Sequence, residues 1–408
     1  MLTRHTIQNV ARAAHYFSAQ DDYYAREGMG IWLGKGAALL GLELDVDAKQ
    51  FRELLEGRLP HGGSIHATFD ARTSAKRYGW DFTFSAPKSV SLQALIGGDQ
   101  RIVEAHQKAV REAVALMEQH AIGRKKIHGI SQREHTGNLV AAAFDHELSR
   151  AKDPQLHTHV VVMNMTQRED GQWRALSNEA LFKHIKLIGA AYRASLAREL
   201  QQLGYQIRLS DKAGSFELAQ FSRAQIEAFS QRGKVIEAAL ENRGKSRQDA
   251  STLEKQVIAL ATRPKKDKLT GPDKQLLMAH WKDKSQTLGI VYDVGERSSN
   301  SQQQEGNARE SLDFAIAHLT ERQSVMQGSL LMTTAMQHAV GRATYRELRS
   351  ELARRIDAGE VIAECRGASS AGEPRYTTKL AWNTEQAILR MEREGRNRLP
   401  PILRPTLA

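Results

Sequence analysis

Residues 157–164 read HTHVVVMN, and few folds can house that run. Successive side chains on a strand point to opposite faces. Val160 to Met163 therefore presents apolar groups on both sides and needs cover on each, as in the central strand of a sheet. His157 and His159 project together at the mouth of that strand, with Thr158 turned away. Taken alone, the pair reads either as two polar residues at a strand end or as part of a metal site.

The segment NLVAAAFDHEL (138–148) reads as the neighbouring strand, with His146 on the face of Ala142 and Phe144. Only AKDPQ separates the two, so an antiparallel pair brings His146 within reach of His157 and His159. Three neutral imidazoles leave positions open for water or substrate, the catalytic arrangement and not the closed structural one. A third strand is predicted at GWDFTFSAP (79–87), stopped by Pro87. Trp80, Phe82 and Phe84 form one face; Asp81, Thr83 and Ser85 form the other. Asp81 suits the role of accepting the second N–H of a ligating histidine. Its alternative reading is a strand-end carboxylate in solvent.

The remaining pattern is mixed. Ile7, Val10, Ala14 and Phe17 fall at helical spacing and predict a helix over about residues 6–17. A long amphipathic helix, residues 89–121, breaks near Gly97–Gly98, and a strand is read at 126–135. Another helix spans 178–203, a short strand pair follows at YQIRLS and SFELA, and a charged helical stretch containing RPKKDK (263–268) reaches Gly289. The polar segment 298–307 reads as a linker. Residues 308–390 read as a small domain of three helices and a hairpin, either winged-helix-like or a plain helical bundle. The tail 391–408 reads as unstructured. The resulting fold class is α+β, a two-layer α/β arrangement on a central antiparallel sheet.

With 408 residues and a formal charge of +11, the chain is expected to meet a polyanion, nucleic acid first. No apolar run approaches the roughly 18 residues of a membrane span, and MLTRHTIQNVARAA lacks the apolar core of a secretory signal. Cys365, the single cysteine, excludes an internal disulfide and fits a reducing, cytoplasmic setting.

The ordered stretches HYFSAQDDYYAREG, DFTFSAPKSVSLQAL, FDHELSR, DPQLHTHVVVMN and DGQWRAL together resemble the relaxase domain of the MobF family, the strand transferases that begin conjugative plasmid transfer. The resemblance covers residues 1–292, within an expected relaxase domain of 1–297. The region after it is similar to the segment that joins such domains to a helicase in longer members. No GxxxxGK[ST] occurs, so this chain is not expected to hydrolyse ATP.

The resemblance implies an HUH-type metal triad of His146, His157 and His159, with Asp81 as its partner and Mg²⁺ as the ion. Three histidines also suit Mn²⁺, Zn²⁺ or Ni²⁺. It implies Tyr16 as first nucleophile, with Tyr23 and Tyr24 as the later pair. Phe17 stands where the family often has a second tyrosine, and Leu148 where a threonine is frequent. Candidate phosphate contacts are Arg72, Lys88 and Arg150. The implied partners are origin-of-transfer DNA, as single strand and hairpin, with accessory relaxosome and coupling proteins. The implied activity is nicking through a covalent 5′-phosphotyrosine. The competing readings are a metal phosphodiesterase that uses water, and a non-catalytic DNA-binding or replication-initiation module.

Overall fold

Period-two alternation of apolar residues builds a sheet around the histidine strand. In chain order the first seven strands are β1 (Leu2–Ile7), β2 (Ile31–Leu33), β3 (Gly79–Ser85), β4 (Ile122–Ile127), β5 (Ile130–His135), β6 (Ala141–Leu148) and β7 (Pro154–Met163). The computed structural model describes residues 1–11, 13, 30–42, 45–65, 77–246, 249–251, 254, 257–258, 261–262, 271–293, 304–364, 373–396 and 398. β4 and β5 pair only with each other, as a hairpin. The other five strands form one antiparallel sheet in the order β1-β3-β7-β6-β2.

β7 takes the central place that its two-faced apolar run demands. On one face Leu156, Val160 and Val162 join Trp80, Phe82, Phe84, Ala141 and Ala143 in the larger core. On the other, Val161 and Met163 join Trp32, Phe51, Leu54, Leu55, Ala142 and Phe144. Each fully buried aliphatic or aromatic side chain contributes about 1.5–3 kcal/mol by leaving water. A one-residue slip of β7 would exchange its two faces and place the histidines in the larger core.

The larger face is covered by helices Lys88–Leu95, Gln100–Glu118 and Ile185–Gln202. Gln100–Glu118 starts at Asp99, whose side chain accepts from the Arg101 N–H, and buries Ile102, Ala105, Ala109, Val110, Ala113 and Met117 along one stripe. Gly98, at φ +78°, separates it from the preceding helix where the Gly97–Gly98 pair predicted a break. The smaller face is covered by Ala48–Leu55 through Phe51, Leu54 and Leu55.

Several expectations give way to tertiary pairing. Leu2–Ile7 is an edge strand on β3, with Leu2 opposite Phe84 and Ile7 opposite Gly79, and helical structure begins only at Val10. Ile7, Val10 and Ala13 still bury into the smaller core. The open edge of β3 takes the backbone hydrogen bonds of Leu2–Ile7, and Ala13 N–H bonds the Asn9 carbonyl in the helical segment that follows. Residues 126–135 are not one strand; the chain turns at His128 and Gly129, both at positive φ, between β4 and β5. The helix read at 178–203 splits at His184 into Glu179–Lys183 and Ile185–Gln202. Residues 304–307 of the expected linker begin helix Gln304–Thr320, and helix Lys379–Gly395 enters the expected tail.

The C-terminal region contains Gln304–Thr320, Gly328–His338 and Tyr345–Asp357 with a three-stranded sheet of Met326–Gln327, Arg375–Thr378 and Val361–Ala363. Its apolar residues Leu331, Met336 and Leu348 share the larger core with Leu187, Ile188 and Leu196. Among the described residues no helix is long and apolar enough to cross a membrane.

Candidate metal centre

β6 and β7 bring three imidazoles to the smaller-core face of the sheet. His146 is the register partner of His157, and His159 lies opposite Phe144. The ring centroids are 5.3 Å apart for His146–His157, 5.1 Å for His146–His159 and 5.2 Å for His157–His159, a nearly equilateral triangle. His146 and His159 are buried. Directly after His146 the β6–β7 register shifts, a bulge of the kind that re-aims side chains beside functional sites.

β3 supplies Asp81 to the same face. Both its carboxylate oxygens lie 2.9 Å from His159 Nδ1. Thr83 Oγ1 is 3.3 Å from that nitrogen. His157 Nδ1 lies 2.8 Å from the Gln155 carbonyl oxygen. A carbonyl only accepts, so Nδ1 of His157 carries the proton and its Nε2 holds a lone pair; an ionised Asp81 selects the same tautomer of His159. Burial, reinforced by the neighbouring His159, pushes the His157 imidazole down to about 3. It is therefore neutral near pH 7, as a metal ligand must be.

Among the described residues no group of three or more His, Cys, Asp or Glu side chains is arranged to hold a metal ion as it stands. The donor chemistry nevertheless fits a divalent cation. Three imidazoles share one face, two have an outer ring nitrogen engaged by an oxygen, and three protein ligands leave positions open for substrate.

The other expected site residues divide. Arg150 is exposed in the turn between β6 and β7, four residues past His146. Lys88 is placed otherwise than an exposed phosphate contact: its ammonium donates to the Pro154 carbonyl at 2.8 Å. Burial pushes it down to about 8, opposed by Asp153 and Glu217. Lys88 thus braces the first residue of β7. Tyr16, Tyr23, Tyr24, Arg72 and RPKKDK lie outside the described residues. Thr83 was not singled out from the sequence as a site residue, although its shared face with Asp81 was legible.

The TrwC relaxase family model matches residues 10–288, which include all three histidines and Asp81. Two structures of the conjugative relaxase TrwC in complex with oriT DNA, one metal-free and one metal-bound, are 44% and 45% identical to this chain. Each covers 72% of it and 100% of the TrwC chain, with a TM-score of 0.66. A TrwC complex with a 27-mer DNA comprising the recognition hairpin and the cleavage site is 43% identical with a TM-score of 0.65. The multifunctional conjugation protein TraI of Escherichia coli is 36% identical over 344 residues, 79% of this chain and 19% of that protein. The chain spans about a fifth of the length of the curated relatives it matches. On the extent of the family match and the identity to TrwC over most of its length, the chain belongs to the TrwC relaxase family.

Proposed function

We propose that this chain is a site- and strand-specific DNA endonuclease and strand transferase that nicks a plasmid transfer origin to start conjugative transfer. The observation that carries this reading is the triangle of His146, His157 and His159 beside Asp81. It is supported by family membership and by the TrwC structures described as metal-bound and in complex with oriT DNA.

In this reading His146, His157 and His159 hold a divalent cation through nitrogen, and Asp81 fixes the ring of His159. When bound, that cation supplies Lewis-acid polarisation of the scissile phosphate. Mg²⁺ is the ion the family resemblance implies. An all-imidazole set, however, binds Mn²⁺, Zn²⁺ or Ni²⁺ more tightly than a hard cation that prefers oxygen. One TrwC structure is described as copper-bound.

Tyr16 is the nucleophile. Its phenolic oxygen bonds to phosphorus as its proton leaves, the bond from phosphorus to the 3′ oxygen breaks, and that oxygen takes up a proton. The products are a 5′-phosphotyrosine and a free 3′-OH, and the conserved ester energy lets the strand be rejoined without a nucleotide. Tyr23 and Tyr24 supply the second nucleophile. Arg150 and Arg72 neutralise backbone phosphates. The partners are origin DNA, as single strand and hairpin, and accessory relaxosome and coupling proteins.

The test is incubation with a single-stranded origin oligonucleotide carrying hairpin and cleavage site, followed by a denaturing gel. A metal-dependent protein–DNA adduct is expected. Cleaved oligonucleotide without an adduct would identify a phosphodiesterase that uses water. Binding with neither product would identify a non-catalytic module.

A further inference from the structure

The reverse face of the histidine strands carries a buried polar chain. Thr158, between the two histidines of β7, points into the larger core and is 1% exposed. Its hydroxyl donates to Asp145 Oδ1, its register partner on β6 and the residue before His146. Thr158 Oγ1 also lies 2.8 Å from His106 Nε2, and His106 Nδ1 lies 2.8 Å from the Tyr192 hydroxyl. Gln107 Nε2 donates to the second Asp145 oxygen at 2.7 Å. His106 and Tyr192 are wholly buried, on helices Gln100–Glu118 and Ile185–Gln202.

The direction of every bond follows from the groups themselves. A carboxylate only accepts, so the one hydroxyl proton of Thr158 goes to Asp145. Thr158 Oγ1 then accepts from His106 Nε2–H. Burial keeps His106 neutral, pushed down to about 4, so its Nδ1 accepts and Tyr192 donates. All donors run toward Asp145. The chain therefore ties two helices and two strands at the level of the three imidazoles. Regular pairing of β6 with β7 also ends there, because the register shifts between His146 and Leu148. A ladder weakened by a bulge leaves the direction of His146 to side-chain ties.

We infer that Thr158, Asp145, His106 and Tyr192 form a latch whose members are positioning residues for the metal site, setting the directions of His146, His157 and His159 from behind the sheet. The inference rests on the reading of those histidines as ligands. Adjacent side chains on a strand leave the same backbone in opposite directions. Pinning Thr158 and Asp145 therefore pins their histidine neighbours, and outer contacts of this kind tune metal affinity by about 10–100-fold.

The test is Mn²⁺ titration of the full chain without DNA, well below its unfolding temperature. Thr158→Val should weaken Mn²⁺ binding by about 10–100-fold, Thr158→Ser should restore it, and origin oligonucleotide binding should be unchanged in both. Val160→Ala, which thins the same core from the same strand face, should lower thermal stability and leave Mn²⁺ affinity intact. If Thr158→Val does not fold, Tyr192→Phe keeps its ring against Phe84 and removes only the first donor. That variant should lose affinity about threefold, the scale of one hydrogen bond. Wild-type affinity in the folded members of this pair overturns the latch. His157→Ala separates the two ideas. If it too binds Mn²⁺ as the wild type does, the ligand reading fails and the latch falls with it. If it alone loses the metal, only the latch fails.

Discussion

His146 and His157 are direct partners across β6 and β7, their rings 5.3 Å apart and 27° from parallel. Opposed residues of an antiparallel pair hold their Cβ atoms about 4.5–5.5 Å apart, so the sheet itself sets this spacing. His159 lies two residues further along the same face. The triangle is thus assembled almost wholly from regular strand geometry, with no long loop to order.

That assembly should act as one unit. His157→Ala is expected to abolish metal-dependent nicking, slowing adduct formation by about 100-fold or more as several kcal/mol of charge stabilisation are lost. Origin DNA binding should stay near wild type, because affinity comes mainly from phosphate contacts. A time course of adduct formation beside an anisotropy titration tests both. An unchanged nicking rate in this variant under chelation would remove the metal from the mechanism.

Asp81→Asn keeps an oxygen near His159 Nδ1 but removes its charge. Adduct yield plotted against metal concentration should shift by about 10–100-fold toward higher metal, with much of the yield recovered at saturation. A curve superimposable on wild type would make Asp81 a bystander.

The tyrosines should divide the work. Tyr16→Phe should eliminate the first covalent adduct, and Phe17 beside it has no hydroxyl to substitute. Tyr23→Phe should leave that adduct but reduce strand transfer once Tyr16 is loaded. Gels of adduct and transferred product for the single variants and the combined Tyr23, Tyr24 variant decide this. Full adduct formation by Tyr16→Phe refutes the assignment, and unchanged transfer in the combined variant returns both later tyrosines to packing.

The charge of +11 should appear as salt dependence. Each phosphate neutralised on single-stranded DNA contributes about −0.7 to the slope of log K against log salt. Arg150→Ala should flatten the slope by about 0.7, the share of one phosphate. A wild-type slope of zero would dissociate the charge from DNA.

Stability of the metal-free protein should fall in mild acid. Burial pushes His106 from 6.5 down to about 4. Burial, then His184 and His135, pushes His120 to about 4 as well. Between those values the unfolded chain binds protons that the folded chain excludes, so stability is complete above about pH 6.5 and is lost as pH falls toward 4. For His106 alone the loss at pH 5 is about 2 kcal/mol. Urea midpoints at pH 7 and 5 with a chelator present measure it; equal midpoints would contradict a neutral buried His106.

Much of the centre was legible because strand periodicity is local. HTHVVVMN dictated a central strand, and FDHEL followed by a short turn dictated its partner. The aromatic alternation of GWDFTFS then put Asp81 on the histidine face. Thr6 and Ile7 fit the start of the predicted helix but close the strand Leu2–Ile7, because only the free edge of β3 chooses between the two. Charge in a sequence says nothing about local partners either, and here the Pro154 carbonyl takes the Lys88 ammonium.

By itself the sequence determined the two-faced strand, the pairing that gathers His146, His157 and His159, and the family resemblance that the comparisons bear out. Each rests on residues close in the chain or on motifs in order. Only the tertiary structure decided what stands behind that strand. His106 reaches Thr158 across 52 residues of chain and Tyr192 reaches His106 across 86, and neither position differs in sequence from an ordinary buried stripe. Hydrogen bonds across such separations depend on how helices dock on the sheet, and docking is set by the whole core at once, not by any segment of it.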